Sequence, residues 1–277
     1  TIRRGLLLVS LLLFPVTLYY FSPVIIVESA REGLVNASFI VFGLMFLAAL
    51  FLGRLWCGWA CPAGALQAFG ALVNGRPVTG RRLNWVKWAV WIPWILLIAA
   101  LAISAGGYGA VVPFYNLEGG VTLAQPVEPG APPWYAIYYA IILLFLGLAL
   151  IVGRRASCHA ICWMAPFMII GRKLGTLIGG PALRLRAEPA RCTDCGTCTR
   201  NCPMSLDVNR LIEASTAHER TGHPGDGRRL VPIEDSECIL CGSCVDGCPN
   251  DVISFSFSKP EARGVRDRRA SPGAVMQ

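Results

Sequence analysis

The chain has 277 residues and a net charge of +8, with 54% apolar and only 15% charged side chains. A soluble domain carries about 25% charged residues, so a wholly soluble fold is disfavoured and much of the surface is expected to meet lipid. The basic excess lies beside apolar runs, as in the cytoplasmic loops of membrane proteins, which argues against a nucleic-acid partner.

In chain order, four stretches approach the roughly 20 apolar residues a bilayer-spanning helix needs: Gly5–Phe21, Leu34–Gly53, Trp85–Ser104 and Trp134–Gly153. Arg3 and Arg4 before the first run also fit a signal peptide; a retained helix is the expectation. Lys87 lies near the end of its span and is expected to snorkel. Tyr19, Tyr20, Trp85, Trp88, Trp134 and Tyr135 suit interfacial belts, and Pro15 and Pro93 are candidate kinks. Basic residues collect at Arg3 and Arg4, at Arg54, Arg76, Arg81 and Arg82, and from Arg154 to Arg191, whereas loops 22–33 and 105–133 hold only Arg31. The positive-inside rule then predicts an integral membrane protein with both termini, and all twelve cysteines, on the cytoplasmic side, where metal ligation is favoured over disulfides.

Span two ends in Arg54-Leu-Trp-Cys57-Gly-Trp-Ala-Cys61-Pro62, and span four in Arg154-Arg-Ala-Ser-Cys158-His-Ala-Ile-Cys162-Trp163, an offset of 101 residues (57 to 158, 61 to 162). Each unit reads as two spans, a C-x3-C pair and a helix along the interface (Ala63–Val73, Ala165–Ile178), a parallel repeat about an axis along the membrane normal. An i,i+4 pair shares a helical face, so four thiols are expected to converge. Pro62 suits the first turn of the next helix, whose N-terminus favours anionic sulfur. Three readings of Cys57, Cys61, Cys158 and Cys162 stay open: a third cluster or other metal site, a metal-free contact surface for a partner's redox centre, or plain structural cysteines. His159 reads as an interfacial polar residue. No histidine falls within a span, which argues against a bis-histidine haem.

The strongest signal follows. Residues 192–203 read Cys192-x2-Cys195-x2-Cys198-x3-Cys202-Pro203, and residues 238–249 repeat it as Cys238-x2-Cys241-x2-Cys244-x3-Cys248-Pro249. This is the bacterial two-cluster ferredoxin run, in which the fourth cysteine serves the other cluster. It predicts one [4Fe–4S] cluster on Cys192, Cys195, Cys198 and Cys248, and a second on Cys238, Cys241, Cys244 and Cys202. Paired zinc sites are the bland alternative, but zinc would not require two complete runs of four cysteines and a proline. The spacer is expected to hold a helix near Ser205–Glu219 and a polar loop over Gly222–Arg229, and Asp251–Ser258 alternates like a closing strand. The predicted fold class is an all-α transmembrane domain of four helices with an internal two-fold repeat (1–185), an α+β two-cluster ferredoxin-like domain (186–258) and a basic tail (259–277).

Four spans, C-G-W-A-C-P after the second, C-x3-C after the fourth and a trailing two-cluster domain together resemble the NapH-type membrane ferredoxin family, which includes NapH- and MauN-like proteins and is similar to parts of NosR. The resemblance covers the chain to about residue 258. It implies an electron-transfer subunit, without a substrate site of its own, relaying electrons between a quinone pool or cytoplasmic donor and the redox partner subunits of a respiratory-type complex. Trp163 stands where the family's second motif has proline. A redox sensor or maturation factor is the alternative, and quinone binding is not located by any motif.

Overall fold

A computed structural model describes residues 2–78, 83–115, 133–222 and 230–260. The first expected span is helical but broken. Helix α1 (Ile2–Leu12) stops before α2 (Phe14–Thr17), which carries Pro15 in its first turn, and a 3-10 turn (Tyr19–Phe21) follows. Proline cannot donate a helical hydrogen bond but is preorganised for a first turn, so Pro15 restarts the helix instead of kinking it. Pro23 starts α3 (Pro23–Arg31) in the same way.

Strand β1 (Leu34–Val35) pairs in parallel with β2 (Ala110–Val111), tying together the two loops at the end remote from the cysteines. Between them run α4 (Ala37–Leu52), α5 (Leu55–Trp59), α6 (Pro62–Val73) and α7 (Leu83–Ser104). The Asn36 carboxamide accepts from the Phe39 amide at 2.8 Å to cap α4, and Gly53, at φ +57°, turns the chain out of it. Next come α8 (Trp134–Ile151), α9 (Ala156–Ala160) and α10 (Met164–Ile178). Among the described residues one helix, α7, is long and apolar enough to cross a membrane, with mean hydropathy 2.0; α4, α6 and residues 135–151 are apolar but shorter.

The repeat is visible in the packing. Moving α5 by the 101-residue offset lands on α9, from 55–59 to 156–160. Helix α6 packs along α8, and α10 along α4, so each return helix lies against the other repeat's long helix. Gly70 faces Ala149, and its counterpart Gly171 faces Ala49 and the Phe46 carbonyl, where a Cβ would stand 2.7 Å from that oxygen. Phe167 meets Phe42 and Gly175 meets Leu50, so α10 advances in the same direction as α4. Each repeat thus turns back into the helical layer through a short helix and leaves it through a longer one. The expected helices lying free along an interface are instead wedged between long helices, because glycine removes the side chains that would hold them off.

The carboxy-terminal unit is built on β3 (Ala182–Ala187), which pairs antiparallel with β4 (Val231–Ile233) on one side and β5 (Ile253–Ser258) on the other. Sheet pairing already begins at Ala182. The short helices α11 (Thr197–Arg200) and α13 (Ser243–Asp246) and the longer α12 (Val208–Gly222) complete it. Val208 and Ile212 are buried, with Leu206 and Leu211 against them, as the apolar side of the expected spacer helix requires. One core joins the two halves: Ala49, Cys57, Cys158 and Met168 pack in the same cluster as Leu185, Ile233, Ile239 and Val252. The expected loop at 223–229, the tail beyond Pro260, Arg81, Arg82 and residues 116–132 lie outside the described residues.

Lys87 departs from expectation. Instead of snorkelling, it is fully buried, with its Nζ 2.5 Å from Glu237 Oε1. A lysine at the end of an apolar helix can reach bulk water or a buried carboxylate, and here the docked carboxy-terminal unit supplies the carboxylate.

Candidate metal centres

The two ferredoxin-type runs share one backbone path. Three left-handed positions recur at the 46-residue offset that separates Cys192 from Cys238: Asp194 and Leu240, Gly196 and Gly242, and Ser205 and Asp251. Gly196 and Gly242 each precede a one-turn helix, α11 or α13. Loops mixing right- and left-handed residues turn successive N–H groups toward one concavity, which suits anionic sulfur.

The cysteines line two cavities in crossed sets. Cys192, Cys195, Cys198 and Cys248 surround one. Cys238, Cys241, Cys244 and Cys202 surround the other. Among the described residues no three Cys, His, Asp or Glu side chains are gathered tightly enough to grip a single ion. Thiols spread around a space suit a multi-iron group better than zinc, which draws its sulfurs to about 2.3 Å. The surroundings differ. Cys195 is exposed, and hydrogen bonds at Thr197 lower its pKa. Burial pushes the Cys238 thiol up to about 12 and raises Cys202. Leu185, Met204, Val208, Ile233 and Ile239 make the second cavity apolar. Both sites fit iron–sulfur groups, whose binding deprotonates the thiols.

The C-x3-C pairs converge but not on single helical faces. Cys57 lies within α5, whereas Cys61 has extended backbone (φ −76°, ψ 120°) at the N-cap of α6. Cys158 lies in α9, and Cys162 falls between α9 and α10. The proline at 62 forces the first break, since its N–H is missing and its predecessor is pushed out of the helical region. Cys61 and Cys162 sit at the starts of α6 and α10, a symmetry-related pair. Cys57, Cys61, Cys158 and Cys162 are close enough for mutual electrostatic interaction. Across the pseudo-two-fold, Met168 Sδ lies 3.4 Å from Cys57 Sγ, and Gln67 Nε2 lies 3.2 Å from Cys158 Sγ. Residues 67 and 168 are themselves 101 apart, so each repeat contributes a side chain to the other repeat's cysteine.

The second ferredoxin-type loop sits directly on α5. Gly58 is the point of contact: a Cβ there would stand 2.5 Å from the Ile239 carbonyl oxygen and 3.1 Å from Cys241 Cα. The Trp59 indole donates to the Leu240 carbonyl at 2.9 Å, and Arg3 donates to the Gly58 carbonyl at 2.9 Å and to Ser243 Oγ at 3.1 Å. Glu237, next to Cys238, accepts from Arg54 Nη1 at 2.8 Å as well as from Lys87. Burial alone would raise the Glu237 carboxyl, but Arg54 and Lys87 outweigh it and hold the pKa below the ordinary carboxylate value. His159 is buried, with Nδ1 2.5 Å from Asn84 Oδ1, so it is an internal polar residue and not an interfacial one.

Sequence reasoning missed Glu237, Gln67, Met168 and Arg155. The last three carry one readable signal, the offset from Arg54 to Arg155 and from Gln67 to Met168. Glu237 carries none, since its partners lie 150 and 183 residues away.

Paired four-cysteine cavities on repeated left-handed loops, joined by an antiparallel sheet, define a dicluster iron–sulfur protein of ferredoxin type. Residues 191–253 match the family described as a 4Fe-4S dicluster domain, and residues 36–78, which include Cys57 and Cys61, match a 4Fe-4S binding domain. YccM of Escherichia coli is 25% identical over 82% of this chain and 57% of its own length. The nitrogen fixation protein FixG of Rhizobium meliloti is 24% identical over 75% of this chain and 39% of its own. For the ferredoxin-type protein NapH of Haemophilus influenzae the figures are 26%, 80% and 68%. The chain is similar to the NapH-like group of ferredoxin-type proteins. It spans little more than half the length of YccM and less of FixG. No solved structure matches it.

Proposed function

We propose that the chain is an electron-transfer subunit of the membrane, relaying electrons between a quinone pool or cytoplasmic donor and a partner oxidoreductase. The observation that carries this reading is the pair of crossed four-cysteine cavities, one of whose loops abuts α5 and the C-x3-C cysteines. Cys192, Cys195, Cys198 and Cys248 would hold one [4Fe–4S] cluster, and Cys238, Cys241, Cys244 and Cys202 the other. Such clusters, when bound, take up and release single electrons with little ligand movement. The chain's own residues hold and screen them. Apolar side chains keep water from the second cavity, and Gly58 and Glu237 press its loop onto the helical layer.

Four spans with both termini cytoplasmic complete the reading, supported by the apolar α7, the shorter apolar α4 and residues 135–151, and the charge asymmetry of the loops. Domain limits just before β3 at Ala182, a few residues ahead of the expected 185, and at 258 belong to the same proposal. The third cysteine set, Cys57, Cys61, Cys158 and Cys162, would hold a further iron–sulfur group. Four converging thiols, two helix N-termini aimed at sulfur and the family match over 36–78 support it. A quinone ring would enter the apolar recess of about 530 Å³ lined by Tyr20, Phe21, Trp56, Trp59, Met45 and Met168. Met168 forms part of that wall and touches Cys57.

The test is anaerobic purification of the full chain, with iron and sulfide analysis and EPR after reduction by dithionite. The expected result is two interacting [4Fe–4S] signals, additional iron for the third site, and re-oxidation by a soluble quinone analogue. A colourless preparation carrying zinc would refute the proposal. Clusters that form but exchange electrons with quinone and partner only slowly would favour a sensor.

A further inference from the structure

Two buried arginines flank the C-x3-C cysteines at symmetry-related positions, and neither is fully paired. Arg54 and Arg155 are 2% and 1% exposed and stand 101 residues apart. Arg155 Nη1 donates to the Cys57 carbonyl at 2.8 Å, but its Nε and Nη2 have no hydrogen-bond partner. The backbone makes room for it: a Cβ on Gly64, in the first turn of α6 beside Cys61, would stand 2.8 Å from Arg155 Nη1. Arg54 Nη1 is committed to Glu237 and to the Ser236 carbonyl, yet its Nε has no partner. Among the described residues the one carboxylate nearby, Glu237, is shared between Arg54 and Lys87, and none pairs with Arg155.

A guanidinium taken out of water without an anion is costly. Around these four thiols the chain places Arg155 with no carboxylate, Arg54 with a carboxylate it shares with Lys87, and the positive ends of α6 and α10, so the local charge is in excess and suits an anion. We propose that Arg54 and Arg155 form a symmetry-related cationic pair that holds the occupant of the Cys57, Cys61, Cys158 and Cys162 site as an anion and raises its reduction potential. This rests on the reading of those cysteines as ligands of an iron–sulfur group. Both arginines act as positioning residues: they favour whichever oxidation state bears one more negative charge, with no bond made or broken.

The experiment is an EPR-monitored redox titration of the full chain in detergent, with dithionite as reductant, on the natural protein, Arg155→Gln and Arg155→Lys. Gln keeps a donor for the Cys57 carbonyl but loses the charge; Lys keeps the charge. Expected is a third signal whose reduced-to-oxidised ratio, at the natural protein's midpoint, falls about tenfold in Arg155→Gln, or 59 mV for one electron. Arg155→Lys should stay near the natural midpoint, and the two ferredoxin-type signals should not move. An unmoved third midpoint in Arg155→Gln, or equal shifts in both variants, overturns the proposal while leaving the cluster assignment standing. Iron for only two clusters in the natural protein overturns the cluster assignment and the arginine pair with it. Should Arg155→Gln fail to accumulate, Arg54→Gln carries the same expected sign and the same power to refute.

Discussion

Removing the Glu237 carboxylate should undock the carboxy-terminal unit from the helical layer. In Glu237→Ala, Arg54 and Lys87 remain as two like charges, 2% and 0% exposed, with no anion between them. Stripping one partner from a buried ion pair costs about 3–5 kcal/mol, whereas an exposed pair is worth about 0–1 kcal/mol. One carboxylate here serves two cations within 2.8 Å, so the upper part of the buried range applies. For a chain of this size each kcal/mol lowers the melting midpoint by about 2–4 °C, so a loss of about 4–5 kcal/mol should lower it by about 8–20 °C. Intrinsic tryptophan fluorescence is the assay, because the Trp59 indole bonds the Leu240 carbonyl across the same interface. The double change Glu237→Leu with Lys87→Met should recover much of the loss, since it leaves a single buried cation. A drop below 2 °C in Glu237→Ala would refute the reasoning, for it would mean that water reaches all three groups.

Gly58→Ala should push α5 off the 238–244 loop, because the new methyl meets backbone at 2.5 Å; overpacking of this kind costs about 1–3 kcal/mol and should show as faster amide exchange at residues 239–241. The crossed cavities predict which substitutions resemble each other: Cys202→Ser should perturb the EPR signal that Cys241→Ser perturbs, and Cys248→Ser the signal of Cys195→Ser. Pairing by sequence run would instead group Cys202 with Cys195. Removing iron with a chelator should loosen residues 191–253 by circular dichroism and proteolysis far more than the helices, since cluster binding is coupled to folding of the loops that hold it.

Cysteine spacing made the carboxy-terminal unit legible. The crossed cavity linings, the spacer helix and the closing strand all follow from short-range patterns that fix local backbone. The helical half was readable as apolar stretches but not as shapes. Pro15 restarts a helix instead of bending it, whereas Pro62 opens α6 as expected, and the sequence does not say which return helix settles on which long one. Lys87 shows the limit most clearly. Its meaning depends on a carboxylate 150 residues downstream, and a lysine at a helix end looks the same whether it reaches water or a buried partner. The 101-residue offset was visible at the cysteines, yet its extension to Arg54 with Arg155 and Gln67 with Met168 has value only once these side chains are seen at one centre.

The exchange of α6 and α10 between the repeats has a consequence for biogenesis. Helix α4 leaves the ribosome well before α10, the helix that fills its groove, so during synthesis its glycine-matched face must be covered by lipid or by an insertion factor. Each repeat's long helix therefore gains its close-packed partner only when the other repeat is in place.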